Sequence, residues 1–165
     1  MGDTIPRCYF PAIFVIINPI VSENRKVVAI VGMAGSGKSE VARVFEQHGF
    51  TRIRFGDVTD EEVKKRGLAL NEDNERRIRE LLRKEHGMAA YAILNLPRID
   101  AARKKSNVVV DGLYSWEEYT LLKDHYGDDL SVVAVLASPE TRYSRLSSRA
   151  VRPLAHKAVS YTHLR

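Results

Sequence analysis

A β-branched run that breaks into a glycine-rich turn and then a helix start constrains this chain more than any other stretch. Residues Val27 to Ser39 read Val-Val-Ala-Ile-Val-Gly-Met-Ala-Gly-Ser-Gly-Lys-Ser. Gly32, Gly37, Lys38 and Ser39 satisfy the spacing of a phosphate-binding loop, with Gly35 and Ser36 inside it. In such a loop backbone N–H groups wrap the phosphates, the lysine reaches the outer two and the hydroxyl ligates Mg²⁺. Glycine admits backbone angles that other residues resist and lets the main chain approach the anion. The helix that follows turns its N-terminal partial positive charge toward it. At average glycine content, a chain of this length meets the four constrained positions by accident on the order of once in a hundred trials. Val41, Val44 and Phe45 recur at helical spacing after the loop, as the motif requires. A dinucleotide fingerprint would need glycine where Glu40 stands, and is excluded.

At 165 residues and 44% apolar content the chain is long enough for one domain with a substantial core. A single cysteine, Cys8, excludes an internal disulfide framework and fits a reducing, cytoplasmic setting. The net charge of +5 is weighted to the end of the chain, where Arg152, Lys157 and Arg165 stand without an acid. The rest has an ordinary balance and no basic surface interleaved with aromatics, so no nucleic-acid partner is expected. Tyr9 to Val21 is apolar but falls short of a membrane span and is interrupted by Pro11 and Pro19. Residues 1–25 are expected to be a poorly ordered or mis-started extension.

From Lys26 onward, strands and helices alternate. Strands are expected at Val27–Val31, Thr51–Phe55, Asn107–Val110 and Leu130–Leu136. The loop helix runs to about His48, with Gly49 as its C′ residue. Helices are expected at Glu61–Arg66, from Asn71 to Gly87, over Met88–Ile99 with a kink or break at Pro97, from Trp116 to Tyr126 behind Ser115, and from Glu140 to about Arg149. The pattern implies an α/β fold of three layers, α/β/α, around a parallel sheet with ligands at the carboxyl ends of its strands.

Charged residues fall at those ends. Asp111 follows Val108-Val109-Val110 and is placed to hold a Mg²⁺-bound water, or to cap the next helix. Asp57, after the second strand, is placed to accept or position an acceptor hydroxyl, or to form a turn. Arg142, Arg145 and Arg149 recur at helical spacing after the fourth strand, where guanidinium groups can neutralise a transferring phosphoryl group or simply form a basic helix face. The five histidines show no metal-ligand spacing.

The glycine loop, Phe-Gly-Asp57, Val-Val-Val-Asp111-Gly112 and the Arg-Leu-Ser-Ser-Arg segment from Arg145 together resemble the nucleoside monophosphate kinase and dephospho-CoA kinase group of P-loop proteins. Within it, the chain most resembles a functionally uncharacterised, largely archaeal ATP-binding family related to dephospho-CoA kinase. The resemblance covers about Lys26 to Arg149. It implies a P-loop NTPase core, a helical acceptor-binding insertion over about residues 56–105, and an arginine-bearing lid that closes to exclude water. It further implies ATP with Mg²⁺ as donor and a small-molecule phosphoryl acceptor. Adenylate kinases carry arginines where this chain has Asp60 and Ser115, so an AMP acceptor is disfavoured against a dephospho-CoA-like or other alcohol. The group continues to a fifth strand and closing helix, which residues 150–165 do not supply. The ending Val-Ser-Tyr-Thr-His-Leu-Arg resembles translated sequencing-adapter read-through, so a C-terminal truncation near Arg149 to Pro153 is expected. Two other readings stay open: a P-loop ATPase or regulatory switch without a metabolite acceptor, and an inactive nucleotide-binding fragment.

Overall fold

The computed structural model describes residues 25–148. Expectations for residues 1–24, for Arg149 and for the tail lie outside the described residues. Four parallel strands, β1 (Val27–Val31), β2 (Thr51–Arg54), β3 (Val108–Asp111) and β4 (Leu130–Ala134), form one sheet in the order β2-β3-β1-β4. Six α-helices among the described residues accompany them, α1 (Lys38–Gln47), α2 (Asp57–Lys65), α3 (Glu72–His86), α4 (Ala90–Arg103), α5 (Trp116–Tyr126) and α6 (Pro139–Ser147), with a 3-10 turn over Gly127–Asp129 before β4.

Alternation along the strands places the layers. Val27, Ala29, Val108 and Val110 face one side, where they pack with Phe55, Val63, Ile78, Leu82, Tyr91, Ile99 and Leu122 from α2 to α5 and their loops. Ile30 and Val109 face the other side and meet Val41 and Ala42 of α1, with Val135 beyond β4. Both faces of β1 and β3 are therefore buried, which is why these strands read as continuous apolar runs. The helices expected to form an acceptor-binding insertion bury Val58, Val63, Ile78, Leu82 and Tyr91 in the same cluster as the sheet. Among the described residues β4 is an edge strand, with Val132 43% exposed and Leu136 just beyond it 86% exposed. No helix among them is long and apolar enough to cross a membrane.

Local chemistry sets the helix ends. Gly49 has φ +85°, its N–H bonds the Glu46 carbonyl, and the Phe50 N–H bonds that of Phe45. This is a Schellman stop, and the Phe45 and Phe50 rings pack edge to face across it. Gly67 and Leu68 repeat the device on Lys64 and Val63. Asn71 and Ser115 cap α3 and α5 through the Asn74 and Glu118 amides, and Glu118 completes a capping box with Ser115.

Two helices differ from the sequence expectation. The first begins at Asp57 rather than Glu61, because Asp57 and Asp60 both suit a first turn and Gly56 already has helical angles. The second runs from Ala90 to Arg103, four residues past the expected end at Ile99, and is continuous through Pro97. Pro97 leaves only the Ile93 carbonyl without its donor, on a residue that is 40% exposed and so within reach of solvent. The burial of Ala90, Tyr91, Asn95 and Ile99 holds both halves against the core.

Candidate active site

The glycine loop joins β1 to α1 at the carboxyl end of the sheet. Gly32, Gly35 and Gly37 have φ of +150°, +79° and +106°. A Cβ on Gly32 would lie 2.4 Å from the Val135 carbonyl oxygen, and one on Gly35 would lie 2.7 Å from that of Arg142. Both positions therefore need glycine twice over, for conformation and for space. Gly37 stands at the α1 N-cap and provides no side chain to cap the first turn, so that end of the helix stays open to an anion. Inside the loop the Ser36 hydroxyl is buried and has no hydrogen-bond partner among the described residues. The Lys38 ammonium donates to the Gly32 and Met33 carbonyls at 2.7 and 3.0 Å. Ser39 follows it, exposed, in the first turn of α1.

Register carries Asp111 to the loop: it pairs across β3–β1 with Ile30, two residues before Gly32. Its carboxylate is 5% exposed and accepts a 2.5 Å hydrogen bond from Arg52 Nη2. From the other side α6 lies over the loop. Arg145 Nη1 donates to the Gly35 and Ser36 carbonyls at 3.3 and 3.2 Å. Arg142 is buried and stacks near the Tyr143 ring. Thus the structure brings Gly32, Gly35, Ser36, Gly37, Lys38 and Ser39 together in the loop with Arg145 against it, and Asp111 stands on the strand next to the one that carries the loop.

Asp57 stands apart, one strand further along the sheet. It is the first residue of α2, and its carboxylate accepts from Arg54 Nη1 at 2.9 Å. The same guanidinium reaches Asp60 Oδ2 through both Nη1 and Nη2 at 3.2 Å and lies over Gly56. Tyr114 is 56% exposed as a residue but folds its hydroxyl back over Gly112, where desolvation first and the Asp111 carboxylate second raise that phenol. Tyr91 meets the Tyr114 ring edge to face at 6.4 Å and bonds Thr59 through its hydroxyl, and burial raises it too. Behind them the Glu118 carboxyl is fully buried and raised by that burial, against the pull of the Tyr114 and Ser115 amides.

Arg52, Arg54 and Tyr114 were not singled out from sequence. Thr-Arg-Ile-Arg in a short strand does place Arg52 and Arg54 on one face, a detectable alternation. Their partners depend on which strand lies alongside.

Parallel β-strands wrapped by helices, a glycine loop opening onto a helix and a carboxylate on the neighbouring strand define a P-loop protein of the kinase-like α/β class. The chain belongs to the AAA domain family whose model matches residues 28–154. It also belongs with the UPF0200 proteins. It is 38% identical over 125 residues to UPF0200 protein TK1334 of Thermococcus kodakarensis, covering 74% of this chain and 68% of that one. Against UPF0200 protein MmarC7_0527 of Methanococcus maripaludis it is 38% identical over 128 residues, covering 75% and 67%. Among solved structures, a gluconokinase from Sinorhizobium meliloti superposes with a TM-score of 0.52 at 17% identity, over 85% of this chain and 74% of that one. TT1252 from Thermus thermophilus gives 0.51 at 20%, over 86% and 80%. Likeness at that identity establishes the shared fold.

Proposed function

We propose that the protein is a small-molecule kinase that moves the γ-phosphoryl group of ATP to a nucleotide or dephospho-CoA-like acceptor. The observation that carries this reading is the cradle itself: three glycines in left-handed or close-packed positions, an uncapped helix start and a buried Ser36 hydroxyl without a partner among the described residues. A phosphate supplies the missing acceptors for all of these donors at once.

The donor set also fits Mg²⁺. The Ser39 hydroxyl would hold it directly and the Asp111 carboxylate through water. When bound, the ion neutralises charge on the β- and γ-phosphate oxygens. Lys38 exchanges the Gly32 and Met33 carbonyls, its partners in this structure, for the outer phosphates. Arg145, already against the loop, and Arg149 neutralise the transferring group. Asp57 orients the acceptor hydroxyl and takes its proton. Positioning and electrostatics supply the catalysis, with no covalent intermediate.

A screen of nucleoside monophosphates and dephospho-CoA against Mg·ATP tests the reading. Acceptor-dependent ADP formation is the expected result. Hydrolysis of ATP at the same rate with and without every acceptor would favour the ATPase or switch reading instead.

A further inference from the structure

We infer that Asp60 is a specificity-determining residue which, with Asp57, closes the acceptor side of the site to phosphate, so that the reacting group is an alcohol on a carrier with no phosphate at Arg54. The inference rests on the kinase reading and refines its acceptor class.

Arg54 is the guanidinium best placed to take an acceptor anion. It lies at the carboxyl end of β2, in register with Asp111 of β3 and so two strands along the sheet from β1, which carries the phosphate loop. Yet two carboxylates already hold it, Asp57 at 2.9 Å and Asp60 at 3.2 Å, the latter through both terminal nitrogens. Two neighbouring cations are likewise paired. Arg52 is paired with Asp111 and Arg98 with Glu61, whereas Arg83 lies over the Tyr91 ring near buried Glu118, with its Nε buried and without a hydrogen-bond partner among the described residues. The Arg98 pair holds the Glu61 carboxyl below its ordinary range, so this charge is present at neutral pH.

A phosphate at Arg54 would meet two fixed negative charges within contact range of the same guanidinium. It would have to displace them or bear their repulsion. A hydroxyl has neither difficulty. It donates to a carboxylate and accepts from a guanidinium, the pairing that Asp57 and Arg54 present together. In the transfer step the acceptor oxygen forms a bond to the γ-phosphorus while the bond from that phosphorus to the β–γ bridging oxygen breaks. ADP leaves with the electron pair, and the hydroxyl proton passes to the Asp57 carboxylate.

The test is titration calorimetry with inorganic phosphate on the wild-type chain and on Asp60→Asn, both first saturated with Mg²⁺ and a non-hydrolysable ATP analogue. Asparagine keeps the shape and one acceptor for Arg54 but removes the charge. Asp60→Asn is expected to bind phosphate at least about tenfold more tightly than wild type. Equal affinity in the two chains, or tighter binding by wild type, would overturn the inference. Should the melting curve show that Asp60→Asn does not fold, Asp57→Asn removes the other carboxylate and must give the same gain. Failure of the ATP analogue to bind would sink the kinase reading alone. The loop site is common to both chains, so the difference between their phosphate affinities still reads Arg54.

Discussion

Arg52→Met isolates the contact that joins the two sides of the site. The Arg52 guanidinium is 23% exposed and meets an Asp111 carboxylate that is 5% exposed, at 2.5 Å. Breaking a buried pair by removing one partner costs about 3–5 kcal/mol, because the remaining charge is left without compensation. The partial exposure of Arg52 lets solvent screen some of that. A second term opposes it. Arg52 Nε is buried without a hydrogen-bond partner among the described residues, a cost on the order of 1 kcal/mol that the substitution relieves. The net expectation is a loss of about 2 kcal/mol, which for a domain of this size lowers the melting temperature by about 6–8 °C. Arg52→Met/Asp111→Leu removes both charges and keeps apolar volume, so it should recover most of the loss. Chemical and thermal denaturation of the three chains at neutral pH measure this. A single variant within about 0.5 kcal/mol of wild type, or a double variant less stable than the single, would refute the reasoning. The first result would mean that Asp111 is solvated despite its burial, and the second that the site is held by shape and not by charge.

Three further perturbations address the loop and the far end of the sheet. Mg·ATP at 100 times Kd should raise wild-type stability by about 2.7 kcal/mol, and Lys38→Ala should lose most of that shift in a thermal assay; an equal shift would remove Lys38 from the phosphate site. Gly32→Ala places a methyl 2.4 Å from the Val135 carbonyl oxygen at φ +150°, and should cost at least about 1–3 kcal/mol and abolish the nucleotide-dependent shift, as denaturation with and without Mg·ATP will show. At the start of β4, hydrogen bonds from Lys26 first and Arg103 second hold the Asp129 carboxyl below its ordinary value. A depressed folded-state pKa stabilises above the unfolded value and loses that stabilisation as pH falls through the folded one. Asp129→Asn should therefore be less stable than wild type at pH 7, and the gap should narrow as pH drops below about 3.9; a gap that widens in acid would contradict the assignment.

The geometry of the glycine loop was legible in the sequence because it is local. Gly32 to Ser39 must follow one spacing to wrap a phosphate, and the stops at Gly49 and Gly67 and the caps at Asn71 and Ser115 are decided within five residues by backbone angle and hydrogen bonding. The sheet was legible nearly as well, since only a strand buried on both faces reads Val-Val-Val before an aspartate. Helix α4 continues without a break through Pro97 and past Ile99 to Arg103, with buried residues on both sides of the proline. The acceptor side is a different case. Arg52 meets a carboxylate 59 residues away, and that meeting exists only because β2 lies beside β3 in one register. Asp60 looks like the loss of an arginine when read against adenylate kinases. In the fold a guanidinium is still present at that point, delivered by Arg54 from the adjoining strand and held by the aspartate that took the arginine's place. Retaining the cation while adding its counter-charge changes what it can bind: a free guanidinium selects anions, whereas one held between two carboxylates offers donors and acceptors together. Under the proposed kinase reading the acceptor chemistry is thus written in the pairing of two elements, and Asp60 carries it only together with Arg54.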